Sequence, residues 1–190
     1  MHIIAGSAKG RRLLTPKDQS IRPTSSRVKE ALFSILSPQV PHARFLDLFA
    51  GTGAIGIEAL SRGAAHAVFV EPARASLTLL RQNLERCGMT ARAEIVARTA
   101  ADFLRIVSSA SRRFDLIFAD PPYGHPLPED VLSSLAQSAI LDANSVVILE
   151  HASAASVPEQ IGRLVRIRQY RYGDTALSRF EVDALDAGPA

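Results

Sequence analysis

From Phe45 onward the chain alternates short apolar runs with stretches of helical periodicity, and no other feature restricts its fold as strongly. FLDLF (45–49), AVFVE (67–71), EIVA (94–97), FDLIFA (114–119) and SVVILE (145–150) have the length and apolarity of strands buried on both faces. Between them, 53–61 predicts a helix ended by Gly63, and 73–87 sets Leu77, Leu80, Leu84 and Cys87 at helical spacing before Gly88. Thr99 to Asp102 has the form of a capping box opening a helix through Val107, with further helices expected over 127–139 and near Val157–Ile161. The end of the chain departs from this rhythm. LVRIRQYRYG and DTALSRFEVDAL meet at Gly173 and Asp174 with no room for a crossover helix, so they pair as antiparallel strands. The expected fold class is therefore α/β: a Rossmann-like, doubly wound sheet of five parallel strands plus a C-terminal antiparallel hairpin. Residues 1–40 read as a separate extension, with a hairpin of His2–Ala5 against Arg11–Leu14 turning at Lys9 and Gly10, then a helix over 25–36. Residues 41–185 form the main domain and 186–190 a tail.

Composition restricts the partners. The 190 residues carry a net charge of +3, but seven bases stand against two acids through Glu30, a surplus of five that leaves the remainder at −2. A basic segment on a near-neutral body suits contact with phosphates, although the 19 arginines against 3 lysines also fit a simple preference for arginine. The single Cys87 closes no intrachain disulfide and offers no zinc pair, and it falls on the apolar face of its helix. His2, His42, His66 and His151 lack ligand spacing, so no metal is expected. No apolar stretch has the length of a membrane helix or a signal sequence, so a cytoplasmic location is expected.

Two motifs carry chemistry. The first is Asp47-Leu48-Phe49-Ala50-Gly51-Thr52-Gly53-Ala54-Ile55-Gly56, where a strand turns into a helix. Glycines there let backbone N–H groups approach a ligand, and the helix start adds positive potential. Gly51, Gly53 and Gly56 satisfy the dinucleotide fingerprint, with Glu71 placed 20 residues after Gly51 to grip a ribose hydroxyl. A nicotinamide oxidoreductase is one reading. Asp47 favours another, because a carboxylate suits a cationic ligand such as S-adenosylmethionine better than a pyrophosphate. The second motif, Asp120-Pro121-Pro122-Tyr123, follows the fourth strand at the edge where open α/β sheets bind ligands. Consecutive prolines fix the backbone and remove two donors, leaving carbonyl oxygens free to accept. An exocyclic base amine donating its hydrogens to the Asp120 carboxylate and the Pro121 carbonyl could become tetrahedral and present its lone pair to a methyl donor. Tyr123 would stack on the base, a contact worth about 1–3 kcal/mol. His125 is not required as a base, because the methylated ammonium is acidic enough for water to take its proton.

The motif resembles the (D/N)PP(Y/F) signature of amino methyltransferases, and a parallel sheet closed by a terminal hairpin is typical of class I methyltransferases. More closely, the chain resembles the RsmD family of 16S rRNA guanine-N2 methyltransferases. That likeness rests also on IIAGSAKGRRL, on IRPTSSRVKEALFSIL (21–36) and on DLFAGTGAIGIEALSRGA, and it extends over nearly the whole chain. It implies a monomeric enzyme that uses S-adenosylmethionine and acts on RNA of the small ribosomal subunit or its assembly intermediate. The catalytic residues implied are Asp120, Pro121, Pro122 and Tyr123; the cofactor residues are Asp47, Phe49, Ala50, Gly51, Thr52, Gly53, Glu71, Thr99, Ala100 and Asp120. Thr99 stands where relatives often carry Asp or Asn toward the adenine amine, and Ser25-Ser26 where a Thr-Asp pair is frequent. The RNA-facing residues expected are Lys9, Arg11, Arg12, Arg22, Thr24, Arg27 and Lys29. A DNA adenine methyltransferase shares the same chemistry, but so short a chain lacks an obvious base-recognition domain. A non-catalytic RNA-binding module is a third alternative.

Overall fold

The structure, a computed structural model, describes residues 1–16, 26–107, 112–122 and 127–183. The chain forms two compact units, Met1–Thr99 and Ala100–Ala190. The first contains α1 (Ser26–Leu36), β1 (Arg44–Asp47), α2 (Ala54–Ser61), β2 (His66–Val70), α3 (Arg74–Cys87) and β3 (Ala93–Val96). Its strands lie in the order β3-β2-β1, all parallel, with Leu46 opposite Val68 and Val68 opposite Glu94. Phe45, Leu46, Val68 and Phe69, successive residues whose side chains alternate between the two faces, are all buried, which is why these segments are apolar throughout rather than alternating.

The second unit contains α4 (Ala100–Val107), β4 (Leu116–Ala119), α5 (Pro128–Gln137), β5 (Val146–Ala152), β6 (Gln160–Ile161), β7 (Leu164–Tyr172) and β8 (Thr175–Val182). Its strands lie in the order β4-β5-β8-β7-β6. β4 and β5 are parallel, and β8 returns antiparallel between β5 and β7 with the tight turn at Gly173 and Asp174. Pro128 opens α5, and the Asp130 carboxylate accepts the N–H of Leu127 at 3.2 Å. The short helix expected near Val157–Ile161 is instead β6, a two-residue strand paired with Leu164 and Val165. Val157 precedes Pro158 and is thereby steered from helical geometry, while Gly162 (φ +52°) supplies the turn that brings β7 back. The helix from Ala100 has Asp102 in its first turn, where the carboxylate pairs at the surface with Arg105 at 3.0 Å.

The opening residues are bonded into the first unit. They form one antiparallel bridge, His2 with Arg12, and reach α2 through Glu58 and Ser61. The N–H groups of Ile4 and Ala5 donate to the two Glu58 oxygens at 2.9 and 3.0 Å, and Ser61 Oγ accepts from Ala8 and donates to the Ala5 carbonyl. Gly6 (φ +83°) lies so close to α2 that a Cβ would sit 1.8 Å from the Ser61 carbonyl oxygen. Lys29, expected to face RNA, corrects the sequence-based view. Its side chain is wholly buried, with Nζ 2.9 Å from Glu58 Oε2 and 2.7 Å from the His2 carbonyl. The reason is helical spacing: Lys29 shares its face with Leu32, Phe33 and Leu36, all buried.

Burial works to raise the Glu58 carboxyl, but the Ile4 amide, Lys29 and Arg62 together hold it below its usual value. Its contribution to stability is therefore full above the ordinary carboxylate range and is lost as pH falls through the lowered value. Replacing Lys29 by Met should leave Glu58 short of its main buried counter-charge and reduce the unfolding free energy by about 3 kcal/mol in urea titration. A loss below about 1 kcal/mol would show that Arg62 and the amides suffice.

Candidate active site

In the first unit the site is built on the loop between β1 and α2. β1 ends at Asp47, and α2 starts at Ala54 behind Gly53, whose φ is +85° and whose Cβ, if present, would lie 2.3 Å from Leu80 Cδ1. Any side chain there would be strained by the backbone angle and would also push Leu80 aside. The two acids singled out in the sequence both shape this loop. Asp47, 1% exposed, accepts the Gly56 N–H through Oδ2 at 3.0 Å. Glu71 accepts the Gly51 N–H through Oε2 and the Ala73 N–H through Oε1, each at 2.8 Å, linking the loop to the start of α3. The Asp47 carboxylate is thus turned toward the backbone that it organises rather than toward open solvent.

Gly51 (φ +53°) has nothing within 4 Å of where a Cβ would stand, so the loop offers bare backbone to open space. Phe49 and Thr52 are half-buried, Ala50 is buried, and Thr99 is exposed after β3. Ala100, at the head of α4 in the second unit, is 9% exposed.

Sequence reasoning missed one member of this loop. Asn83 on α3 is wholly buried; its Oδ1 accepts the Leu14 N–H at 2.7 Å, and its Nδ2 donates to the carbonyls of Leu14 (3.1 Å) and Thr52 (2.9 Å). The available signal was its place at i+3 from Leu80 and next to Leu84, a polar residue on an apolar helical face.

In the second unit β4 is buried along its whole length and delivers Asp120 at its carboxyl end. The residue is half-buried, and desolvation pushes its carboxyl up to about 7. Pro121 is half-buried and Pro122 exposed. Tyr123 and His125 lie outside the described residues. An acid of this kind, followed by two residues without N–H groups, presents acceptor oxygens and no competing donors to whatever enters the edge.

Of the basic residues expected to meet RNA, Lys9, Arg11, Arg12 and Arg27 are exposed, and the Arg11 guanidinium donates to the Arg86 carbonyl. Lys29 is excluded by its burial. Arg22, Thr24 and the tail from 186 lie outside the described residues. Among the described residues, no group of three or more potential ligands could hold a metal ion, and no helix is long and apolar enough to cross a membrane.

Residues 1–181 match the family model described as conserved hypothetical protein 95. The chain is 36% identical over 152 residues to ribosomal RNA small subunit methyltransferase D of Haemophilus influenzae, covering 79% of this chain and 78% of that protein. It is 35% identical over 158 residues to the protein of the same name from Escherichia coli K12, covering 83% and 78%. This chain belongs to the RsmD family. A hypothetical protein of Thermus thermophilus superposes with a TM-score of 0.84 at 34% identity, over 96% of this chain and 99% of that one. An RNA methyltransferase from Salinibacter ruber, solved with S-adenosyl-L-homocysteine, shares the fold at 16% identity with a TM-score of 0.66, over 86% and 95%. The chain is thus a methyltransferase by family and has the class I methyltransferase fold.

Asn83→Ala should strand the polar groups of Leu14 and the Thr52 carbonyl, destabilising the protein by about 1–3 kcal/mol. Hydrogen exchange at the Gly51 and Gly53 amides should quicken relative to β2. Exchange at the wild-type rate would mean that Asn83 serves the opening segment alone.

Proposed function

We propose that this chain transfers a methyl group from S-adenosylmethionine to the exocyclic N2 amine of a guanine in 16S ribosomal RNA, acting in the cytoplasm as a monomer on the small subunit or its assembly intermediate. The observation that carries the reading is Asp120: a desolvated carboxyl at the end of a buried parallel strand, directly ahead of two prolines. The relatives named small subunit methyltransferase D support the RNA class.

The glycine loop fits the methyl donor. Open space beside Gly51 admits a ligand against bare backbone, and Glu71, with two of its lone-pair positions engaged by amides, retains acceptor capacity for ribose hydroxyls. Phe49, Ala50, Thr52 and Gly53 complete the loop, Thr99 and Ala100 are the candidates to meet the adenine, and Asp47 fixes the loop while adding negative charge. When bound, the sulfonium supplies an activated methyl group.

Asp120 in its ionised form accepts one amine hydrogen and the Pro121 carbonyl the other. This removes the nitrogen lone pair from conjugation and holds it in the direction of attack. Pro122 keeps the backbone from relaxing, and Tyr123 holds the base by stacking. Orientation of the reactants is the main catalytic contribution, of the order of 7–11 kcal/mol in well-aligned systems. Solvent takes the proton released from the product.

The charge state of Asp120 yields a pH dependence. The acceptor must be ionised, so kcat/KM should rise with pH up to about 7 and level off above it, and this inflection should vanish in Asp120→Ala. The same variant should bind S-adenosylhomocysteine within a few-fold of wild type in calorimetry, yet transfer tritiated methyl groups about 100-fold more slowly. A profile flat from pH 5 to 9 (roughly the range over which such groups are followed) would remove Asp120 from the acceptor role. Transfer to duplex DNA rather than to subunits from a strain lacking the enzyme would favour the DNA adenine reading, and tight NAD binding without binding of the methyl donor would favour an oxidoreductase.

The opening segment supplies phosphate contacts through Lys9, Arg11, Arg12, Arg22 and Arg27, with Thr24 beside them. Reversing the charges at Arg11 and Arg12 should weaken subunit binding and flatten the slope of log affinity against log salt by roughly 1–2. An unaltered slope would make this segment a solvated terminus.

A further inference from the structure

The edge strand β7 combines arginine and tyrosine in a way that the catalytic motifs do not use. β6 covers its outer side only at Leu164 and Val165, and the Arg166 N–H still donates to the Glu159 carbonyl at 2.7 Å. From Ile167 to Tyr172 the outer edge has no strand partner among the described residues. A bulge between Arg166 and Arg168 resets the alternation, so that Arg168, Tyr170 and Tyr172 stand opposite Arg179, Leu177 and Thr175 and share one face. Arg168 is exposed and its guanidinium lies 5.2 Å from the centre of the Tyr170 ring; Tyr170 and Tyr172 are half-buried. Arg171, also exposed, leaves by the opposite face, and Ile167 is 55% exposed.

The other arginines nearby are engaged. Arg166 bonds the Val157 carbonyl and Glu159, Arg179 pairs with Glu181, and Arg163 donates to the carbonyls of Ser138 and Leu141. Arg168 and Arg171 have no carboxylate partner among the described residues, so their charge is available to a partner. Placement gives the strip its meaning. Because β8 is antiparallel to both β5 and β7, β7 runs parallel to β5 and β4, and its Tyr172 end emerges at the same sheet edge as Asp120. The two are separated by three strand spacings, about 14 Å at about 4.8 Å each, which is roughly four stacked nucleotides at about 3.4 Å per step.

We propose that the Arg168–Tyr170–Tyr172 face of β7, with Arg171 at its edge, is a platform for single-stranded RNA flanking the target base. The rings stack successive bases, and the two arginines meet the phosphates from either side of the strand edge. Rings on one face, cations at the rim and an unpaired edge suit a strand with splayed bases; a duplex would offer neither its bases nor a path along one edge. The proposal deepens the reading of the chain as an RNA methyltransferase and rests on it for the choice of RNA.

Its test is direct binding of a short fluorescent single-stranded RNA, and of the corresponding duplex, to the full-length protein over a range of salt. The double variant Tyr170→Ala with Tyr172→Ala should bind the single strand at least about tenfold more weakly, with the salt slope unchanged. Tyr170→Phe with Tyr172→Phe should bind as wild type does. Arg168→Gln with Arg171→Gln should flatten the slope by about 1.4, two phosphate contacts at about 0.7 each. S-adenosylhomocysteine affinity within a few-fold of wild type certifies that the variants are folded. Single-strand binding by the alanine pair within twofold of wild type overturns the platform, as does wild-type binding of duplex as tightly as single strand. Methyl transfer by the wild-type protein is followed in parallel. Absent transfer to small-subunit RNA together with strip-dependent binding defeats the proposed activity and leaves the platform standing. Normal transfer with strip-independent binding defeats the platform alone.

Discussion

The first unit is organised around one buried carboxylate. Glu58 sits in a helix otherwise made of apolar and small residues, and it is reached by Lys29 from α1, by Arg62 one turn later, and by the amides of Ile4 and Ala5. A charge at that depth is tolerable only because every side of it is answered, and answering it fixes the amino-terminal segment and α1 onto α2. The other end of α2 is the glycine loop. The segment proposed to meet RNA and the loop proposed to hold the methyl donor are therefore anchored on the same eight-residue helix. Asn83 adds a second tie, from Leu14 to the Thr52 carbonyl.

The acids of the loop show how binding sites are preorganised. Asp47 and Glu71 spend oxygens on the Gly56, Gly51 and Ala73 amides, groups that would otherwise need water at the head of a helix or in a turn. Asp120 is the contrasting case. Among the described residues no amide is shown compensating its burial, which raises its carboxyl to about 7 and leaves an acid whose charge state changes near neutrality. Asp47 and Glu71 are tied to the backbone they organise and Glu71 still keeps acceptor capacity, whereas burial sets the charge state of Asp120.

The elements with strong local signals were legible. β4 and β5 read as buried strands because apolar runs of that length, flanked by turn residues, have few alternatives, and the hairpin at Gly173 followed from the absence of any crossover. The candidate loop and the Asp-Pro-Pro run were legible for the same reason: their chemistry is written in consecutive residues. Lys29 looks like a surface charge when charge is read along the chain, but its helical phase places it with Leu32, Phe33 and Leu36 in the interior. Near Val157 a helix was expected where the backbone instead makes β6, since a two-residue strand exists only through its partner on β7.

The sequence by itself determined the α/β order of elements, the glycine turn, the acceptor motif and the amino-terminal excess of positive charge, because each depends on residues near one another in the chain. Tertiary structure decided which charges are surface and which are internal, and it made partners of residues as distant as Ile4 and Glu58, or Leu14 and Asn83. It also decided that the Tyr172 end of β7 shares a sheet edge with Asp120. Burial and strand pairing are properties of the packed chain. A lysine or a carboxyl has the same composition in either setting, and only the surrounding dielectric and the partners brought by folding determine what it does.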